Sequence, residues 1–312
     1  MKEFELIQLL TRGLHTNAAV RLGPGDDCAV VDLGVPERQF LLKTDAVVEG
    51  VHFTSDTPPE LIGRKALARN LSDVAAMAGR PIAALVTLGL PRGFKPSWVE
   101  AVYSGIDALA RRFDTAIVGG ETTSNPERAL ISVAVLGDVS RDAFIGRRGA
   151  RPGDAVFVSG ELGGSLQGRH LTFEPRLVEA AWLAENFRPG AMIDLSDGLA
   201  GDLRHLLKPD GLGVELLEKA IPISRAARVQ AAAGQGAKPA LLAALTDGED
   251  FELLFTLSSK QAVALHDAWR KRFPETRLSC IGRISSKPGV LLRGPRGVRE
   301  LQDHGYVHFQ QP

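Results

Sequence analysis

The chain has 312 residues, 44% of them hydrophobic, and its 37 Lys plus Arg balance 37 Asp plus Glu to a formal net charge of zero. That length and apolar content support a substantial buried core and favour two domains over one. The balanced charge excludes a global attraction to nucleic acid or to an anionic membrane, so any partner has to be recognised by local charge.

The opening MKEFELIQLL carries two glutamates and only a short apolar run, which fits neither a secretory leader nor a spanning helix and predicts a cytoplasmic protein. Phe4, Ile7, Leu10 and Leu14 recur at helical spacing, predicting an amphipathic helix over residues 3 to 14 that caps the first domain. RQFLLKTD reads as a strand ending at Thr44 and Asp45, and PELIGRKALARNLSDVAAMAG as a helix entered after Pro58 and Pro59 and stopped near Gly79. Strands follow at IAALVTLGL, TAIVGG and ALISVAVLGDV, with a helix from Ser97 to Phe113 between the first two. Ser140–Asp154 is rich in Arg and Gly, marking a connection between a first domain, 1–139, and a second, 140–312. The second half reads as a strand AVFVSG, a helix at Arg176–Asn186, a strand and helix around AMIDLSDGL, and strands FELLFTL and LSCIGRI. A Gly- and Ala-rich piece forms two short helices around a loop at Gly234–Pro239. The fold class is mixed α/β.

Cys28 and Cys280 lack metal-ligand spacing and read as small hydrophobes. There is no P-loop, no dinucleotide-binding glycine fingerprint, no protein-kinase signature pair and no H-E-x-x-H, which sets aside the common nucleotide and zinc machineries.

Acids are present in surplus. Asp26, Asp27, Asp45, Asp73, Glu121, Asp194, Asp197, Glu249 and Asp250 sit where the chain leaves an apolar run or turns at a glycine, and AMIDLSDGLAGDL holds three aspartates, Asp194, Asp197 and Asp202. Asp73 and Asp197 can each be read as a helix cap or an arginine partner, Arg69 being four residues from Asp73. Six such turns do not need six acids, since Asn, Ser or Gly would end the elements without the charge. Converging carboxylates repel unless a proton or cation joins them, and hard oxygen ligands in this number favour Mg²⁺ next to phosphates. Gly119–Gly120 and Gly163–Gly164 offer backbone amides to an anion, and Arg147 or Arg148 can clamp a phosphate.

The motifs GDDCAV, KTD followed by VHF, KALARNLSDVAAMAG, GGETT, GARPGD, IDLSDGL, DGEDFEL and the terminal GYVHF run in this order from Phe4 to Phe309 and resemble the thiamine-monophosphate kinase family. That family belongs to the superfamily of aminoimidazole ribonucleotide synthase, selenophosphate synthetase and HypE. The resemblance implies a two-domain aminoimidazole ribonucleotide synthase-like fold: a homodimer formed by the N-terminal sheet-and-helix domain, with an α/β C-terminal domain. It also implies ATP-dependent phosphorylation of thiamine monophosphate to thiamine diphosphate, with several Mg²⁺ in a cleft. By motif, Asp27, Thr44, Asp45, Asp73, Glu121, Asp194 and Asp197 match metal ligands, and Asp45, Asp194 and Asp197 lie nearest the chemistry. Gly120, Glu121, Arg147, Ser196 and Phe113 match ATP contacts, and His52, Glu249 and Tyr306 match residues around the thiamine moiety. Without the family, His52 reads as a strand-end histidine and Tyr306 as a core aromatic.

Three departures stand out: Glu121 where the family commonly has Asp, Lys43 where it commonly has Ser, and a short stretch from Gly164 to Arg176. The resemblance implies direct in-line transfer without a base, because a phosphate monoester with a second pKa of about 6 is mostly a dianion at neutral pH. The rival readings are aminoimidazole ribonucleotide synthase, opposed by the two VHF motifs; selenophosphate synthetase, opposed by the placement of Cys28; and a non-catalytic Mg²⁺-nucleotide sensor, which would release no ADP.

Overall fold

A computed structural model of the protein describes residues 3–234 and 236–301. The first half runs α1 (Glu3–Thr11), β1 (Val20–Leu22), β2 (Ala29–Val31), β3 (Arg38–Val48), α2 (Pro59–Ala76), β4 (Arg80–Leu90), α3 (Pro96–Arg112), β5 (Ala116–Ser124) and β6 (Leu130–Ser140). Its strands form one sheet in the order β1-β2-β3-β6-β4-β5, antiparallel throughout except for β4 and β5, which run parallel and are joined through α3. Proline at the first position of α2 and of α3 pre-sets the helical φ where the missing N–H costs nothing.

The two faces of this sheet differ. Leu41, Val47, Val86, Ile131, Val133 and Val135 alternate onto one face and are buried. On the other face, Leu42 and Leu85 are each 48% exposed. The helix α1 does not cover a core as the sequence predicts: it ends at Thr11, and Ile7 and Leu10 remain exposed.

The second half comprises β7 (Ala155–Ser159), a single turn α4 (Arg169–Thr172), α5 (Leu177–Asn186), β8 (Ala191–Asp194), α6 (Leu199–Leu207), β9 (Gly213–Leu217), α7 (Arg225–Ala231) and α8 (Ala240–Thr246). It continues through β10 (Leu253–Leu257), α9 (Ala262–Arg272), β11 (Leu278–Ser285), β12 (Gly289–Gly294) and β13 (Gly297–Glu300). These strands make a seven-stranded sheet, β13-β12-β9-β11-β7-β10-β8, in which only β12 and β9 pair in parallel. β7, β8 and β10 are buried along their whole length, as strands covered on both faces must be. One face carries Phe157, Met192, Phe255 and Trp269, and the other packs Val156, Ile193 and Leu254 against Leu203 and Leu245.

The helix α2 joins the halves. Its polar side chains, Arg64, Lys65, Arg69, Asn70, Ser72 and Asp73, all find partners inside the protein, so it is buried from Ile62 to Ala76 almost without interruption. It packs on α3 and β3 of the first half and on α4, α5 and β8 of the second. Contact with α3 is close because both helices present glycine: a Cβ at Gly63 would lie 1.9 Å from the Val102 carbonyl oxygen, and one at Gly105 1.8 Å from that of Glu60. A single hydrophobic cluster therefore runs from Leu41 and Val133 through Leu67 and Leu71 to Met192 and Phe255. Among the described residues no helix is long and apolar enough to cross a membrane.

Candidate active site

Three segments far apart in sequence deliver carboxylates to one point at the junction of the halves. Asp27 comes from the glycine-bearing loop between β1 and β2, Asp73 from the last turn of α2, and Asp194 from the final residue of β8. One ligand oxygen from each lies within 4.8 Å of the others, and the side chains are buried. Each acid commits one oxygen to a protein donor. Arg147 Nη2 donates to Asp27 Oδ1, Lys43 Nζ to Asp73 Oδ1 at 2.8 Å, and Ser72 Oγ to Asp194 Oδ2 at 2.6 Å. Asp27 Oδ2 is buried with no hydrogen-bond partner, an expensive arrangement unless something else meets it.

The electrostatics carry the same signature. Burial, reinforced by the charge of Asp27, pushes Asp194 up to about 7. Burial drives Asp73 well above the usual carboxylate range against the pull of Lys43, and burial with the neighbouring Asp27 raises Asp26 to about 6. Asp26 accepts from the backbone amides of Asp27 and Arg147, which ties the first loop to the connection between the sheets. The donor set is thus short of positive charge, and its hard oxygens fit a divalent cation of the Mg²⁺ kind.

The DLSDG turn is held from behind. Asp202, one turn into α6, is buried and accepts from the backbone amides of Asp197 and Gly198. Burial, then the nearby Asp197, raise it well above its ordinary value. Of the three aspartates in this run, Asp194 joins the buried cluster, Asp197 stands half-buried at the turn, and Asp202 shapes the turn. Ser196 is half-buried, and its carbonyl accepts from the Glu249 amide.

Asp45 lies on the inner face of β3, 3.5 Å from Lys43 Nζ and 3.5 Å from Arg69 Nε. Its neighbour Thr44 points the other way, with Oγ1 donating to the Val133 carbonyl and lying 3.4 Å from Ser132 Oγ. The register carries this alternation across the sheet: Asp45 pairs with Val133, Val133 with Val86 and Val86 with Gly120, so Glu121 falls on the outer face with Thr87 and Ser132. Glu121 is exposed there and accepts from the Thr122 amide. Gly120, at φ +156°, tolerates no side chain, since a Cβ would meet the Val86 carbonyl oxygen at 1.8 Å. Phe113 ends α3 beneath the Arg112 guanidinium and packs on the core before β5 begins, so the structure does not bring it to the acidic cluster. Arg148 is exposed, whereas Arg147 is drawn onto Asp27.

A second group gathers beside α2. Lys65 is wholly buried, donating to Glu249 Oε2 at 2.7 Å and to the His52 carbonyl at 2.8 Å. Its burial lowers its pKa against the opposing charge of Glu249. His52 Nδ1 accepts from the Val48 amide, which leaves the proton of the neutral ring on Nε2. Ser165 Oγ donates to the Glu249 carbonyl, and the Ser165 carbonyl meets His170 Nδ1 at 3.0 Å. Burial and the Lys65 charge lower the His170 pKa. Lys65 was not singled out from the sequence; the signal was a cation next to Leu61, Ala68 and Ser72 on one face of the helix. Tyr306 lies outside the described residues.

Comparison with known proteins agrees with this architecture. Residues 25–139 match the family model for the AIR synthase related protein, N-terminal domain. A thiamine-monophosphate kinase of Rhodopirellula baltica is 39% identical over 298 residues, covering 93% of this chain and 92% of its own length. The enzyme of that name from Aquifex aeolicus is 34% identical, with 98% of each chain covered. Among solved structures, AaThiL complexed with AMPPCP and TMP superposes with a TM-score of 0.83 at 33% identity, over 99% of this chain and 97% of that one. The hydrogenase maturation protein HypE of E. coli shares the fold, with a TM-score of 0.72 at 22% identity over 85% of each chain.

Proposed function

The chain belongs to the thiamine-monophosphate kinase family, and we propose that its buried acidic junction is where an ATP phosphate and the phosphate of thiamine monophosphate are brought together. It is a kinase that uses ATP as co-substrate. The observation that carries the site assignment is the convergence of Asp27, Asp73 and Asp194 with Asp27 Oδ2 left unmet in the interior. In this reading those three residues hold a divalent ion, and Asp45 and Asp197 serve further ions that arrive with the nucleotide. Mg²⁺, when bound, offsets the negative charge of the two phosphates. The protein's own share is to orient them. Ser196 and the Gly120 backbone face the nucleotide, Arg147 turns from Asp27 to a phosphate, and Glu249 and His52, fixed by Lys65, face the thiamine moiety with Tyr306.

An acceptor oxygen that is already deprotonated attacks the γ-phosphorus in line. The bond to the β-γ bridging oxygen breaks, ADP leaves with the electron pair, and no proton has to be removed first. The product, thiamine diphosphate, makes this the last step of its biosynthesis.

We place the division of the chain at 1–139 and 140–312, following the two sheets. The exposed Leu42 and Leu85 on the outer face of the first sheet support a homodimer through that face, and Thr44 and Glu121 then contribute from the assembled interface. Two unpaired cysteines suit a cytoplasmic setting. A coupled ADP-release assay tests the function: thiamine monophosphate should support turnover, and thiamine and formylglycinamidine ribonucleotide should not. ADP release with the ribonucleotide alone would transfer the chain to the synthase branch, and no release with any acceptor would leave a nucleotide sensor.

A further inference from the structure

Lys43 stands two residues before Asp45 on the same face of β3. Its ammonium lies 2.8 Å from Asp73 Oδ1 and 3.5 Å from Asp45 Oδ1. Two carboxylates brought this close repel unless a cation lies between them, and here the chain supplies one. Arg69 Nε is 3.5 Å from Asp45 Oδ2, so each oxygen of Asp45 faces a basic side chain.

Around the junction Asp26, Asp27, Asp45, Asp73 and Asp194 carry five formal negative charges, and Lys43, Arg69 and Arg147 carry three positive ones. The carboxylates thus outnumber the protein's own cations, which leaves room for a divalent ion. The place for it is marked by the three converging oxygens and by Asp27 Oδ2, which is buried and unpaired in a side chain that is itself buried. Lys43 is only partly enclosed, and an ammonium on a four-carbon stem can swing aside when another cation arrives.

We propose that Lys43 is a built-in cation of the active site, holding the position between Asp45 and Asp73 so that the nucleotide-free protein takes up one divalent ion, on Asp27, Asp73 and Asp194, and not two. Asp45 becomes a metal ligand only when the nucleotide brings its own ion. This rests on the metal reading given above, and direct counting of bound ions separates the two claims.

The test is titration of Mn²⁺ into the full-length nucleotide-free protein, with free ion measured by electron paramagnetic resonance. The wild type should bind one ion and Lys43→Ser should bind two. Two ions on the wild type, or one on both proteins, overturns the role of Lys43 and leaves the metal reading standing, whereas none on the wild type removes both. Asp45→Asn gives an arm that does not depend on the folding of Lys43→Ser: its Kd for the single ion should stay within about threefold of wild type. A weakening of about tenfold or more would put Asp45 in the shell of the resting ion and overturn the proposal.

Discussion

The chain buries two clusters of acids, and they are built to opposite ends. Glu252 accepts from Ser159 Oγ, from Arg169 Nη1 and from both Nε and Nη2 of Arg176, and Asp250 accepts from the Gly163 amide and Arg169 Nη2. Every oxygen there has a donor. At the junction, Asp27, Asp73 and Asp194 are as deeply buried, but one oxygen has no partner and protein cations do not cover the charge. A perturbed pKa does not separate the two, since burial lifts Asp250 to about 7 just as it lifts Asp194. The count of donors does: a completed set of hydrogen bonds makes a scaffold, and an incomplete one makes a site.

The largest expected effect falls on the completed cluster. Glu252→Gln removes the buried charge that Arg169 and Arg176 share, leaving each with one carboxylate partner, Asp250 and Glu179, and should destabilise the protein by about 3 kcal/mol in urea denaturation. A neutral result would break the contrast. Asp194→Asn should act the other way: stability holds or rises because repulsion is relieved, while kcat falls at least a hundredfold, about 2.7 kcal/mol in the barrier. A variant retaining more than a tenth of wild-type turnover would take Asp194 out of the metal site.

Smaller is the pH response. Asp194 in the folded protein titrates near 7 and in the unfolded chain near the ordinary 3.8, so between these values the folded state binds the extra proton and stability falls as pH rises. Metal-free protein should therefore be roughly 2 kcal/mol more stable at pH 5 than at pH 8, and saturating Mg²⁺ should flatten the difference. The same slope with and without metal would detach these acids from cation binding. Least affected should be Asp202→Asn. Burial raises that carboxyl well above its ordinary value, which favours its neutral form, and an amide oxygen can still accept from Asp197 and Gly198, so losses in kcat and stability should stay under about 1 kcal/mol. A loss matching that of Asp194→Asn would move Asp202 from the scaffold into the site.

Much of this was legible in the chain. An acid at the end of an apolar run is visible wherever it occurs, so Asp27, Asp73 and Asp194 could be named, and the element order around them followed from periodicity. Which face of a strand meets a helix is not visible when both faces carry β-branched and aliphatic residues. Alternation sets Thr44 and Asp45 on opposite faces, but nothing in KTDAVV or GGETT showed which of the two faces inward or that Glu121 shares the side of Thr44. The helix α9 was missed because only Leu265 and Trp269 of QAVALHDAWRKR are buried, too few to stand out against a charged face. The strands β12 and β13 were missed as a short hairpin at the sheet edge. Lys65 escaped notice because buried lysines are rare and its partner Glu249 lies 184 residues away.

The burial of α2 on all sides has a consequence for how the molecule comes apart. A fragment ending near Ser140 would carry this helix with one flank stripped of α5 and β8, and Lys65 and Ser72 would lose their partners Glu249 and Asp194. The later fragment would lose the surface against which Phe173 and Leu177 pack. Neither piece then keeps its packing whole, and loss of the α2 contacts with the second half takes the acidic cluster apart together with the shared core.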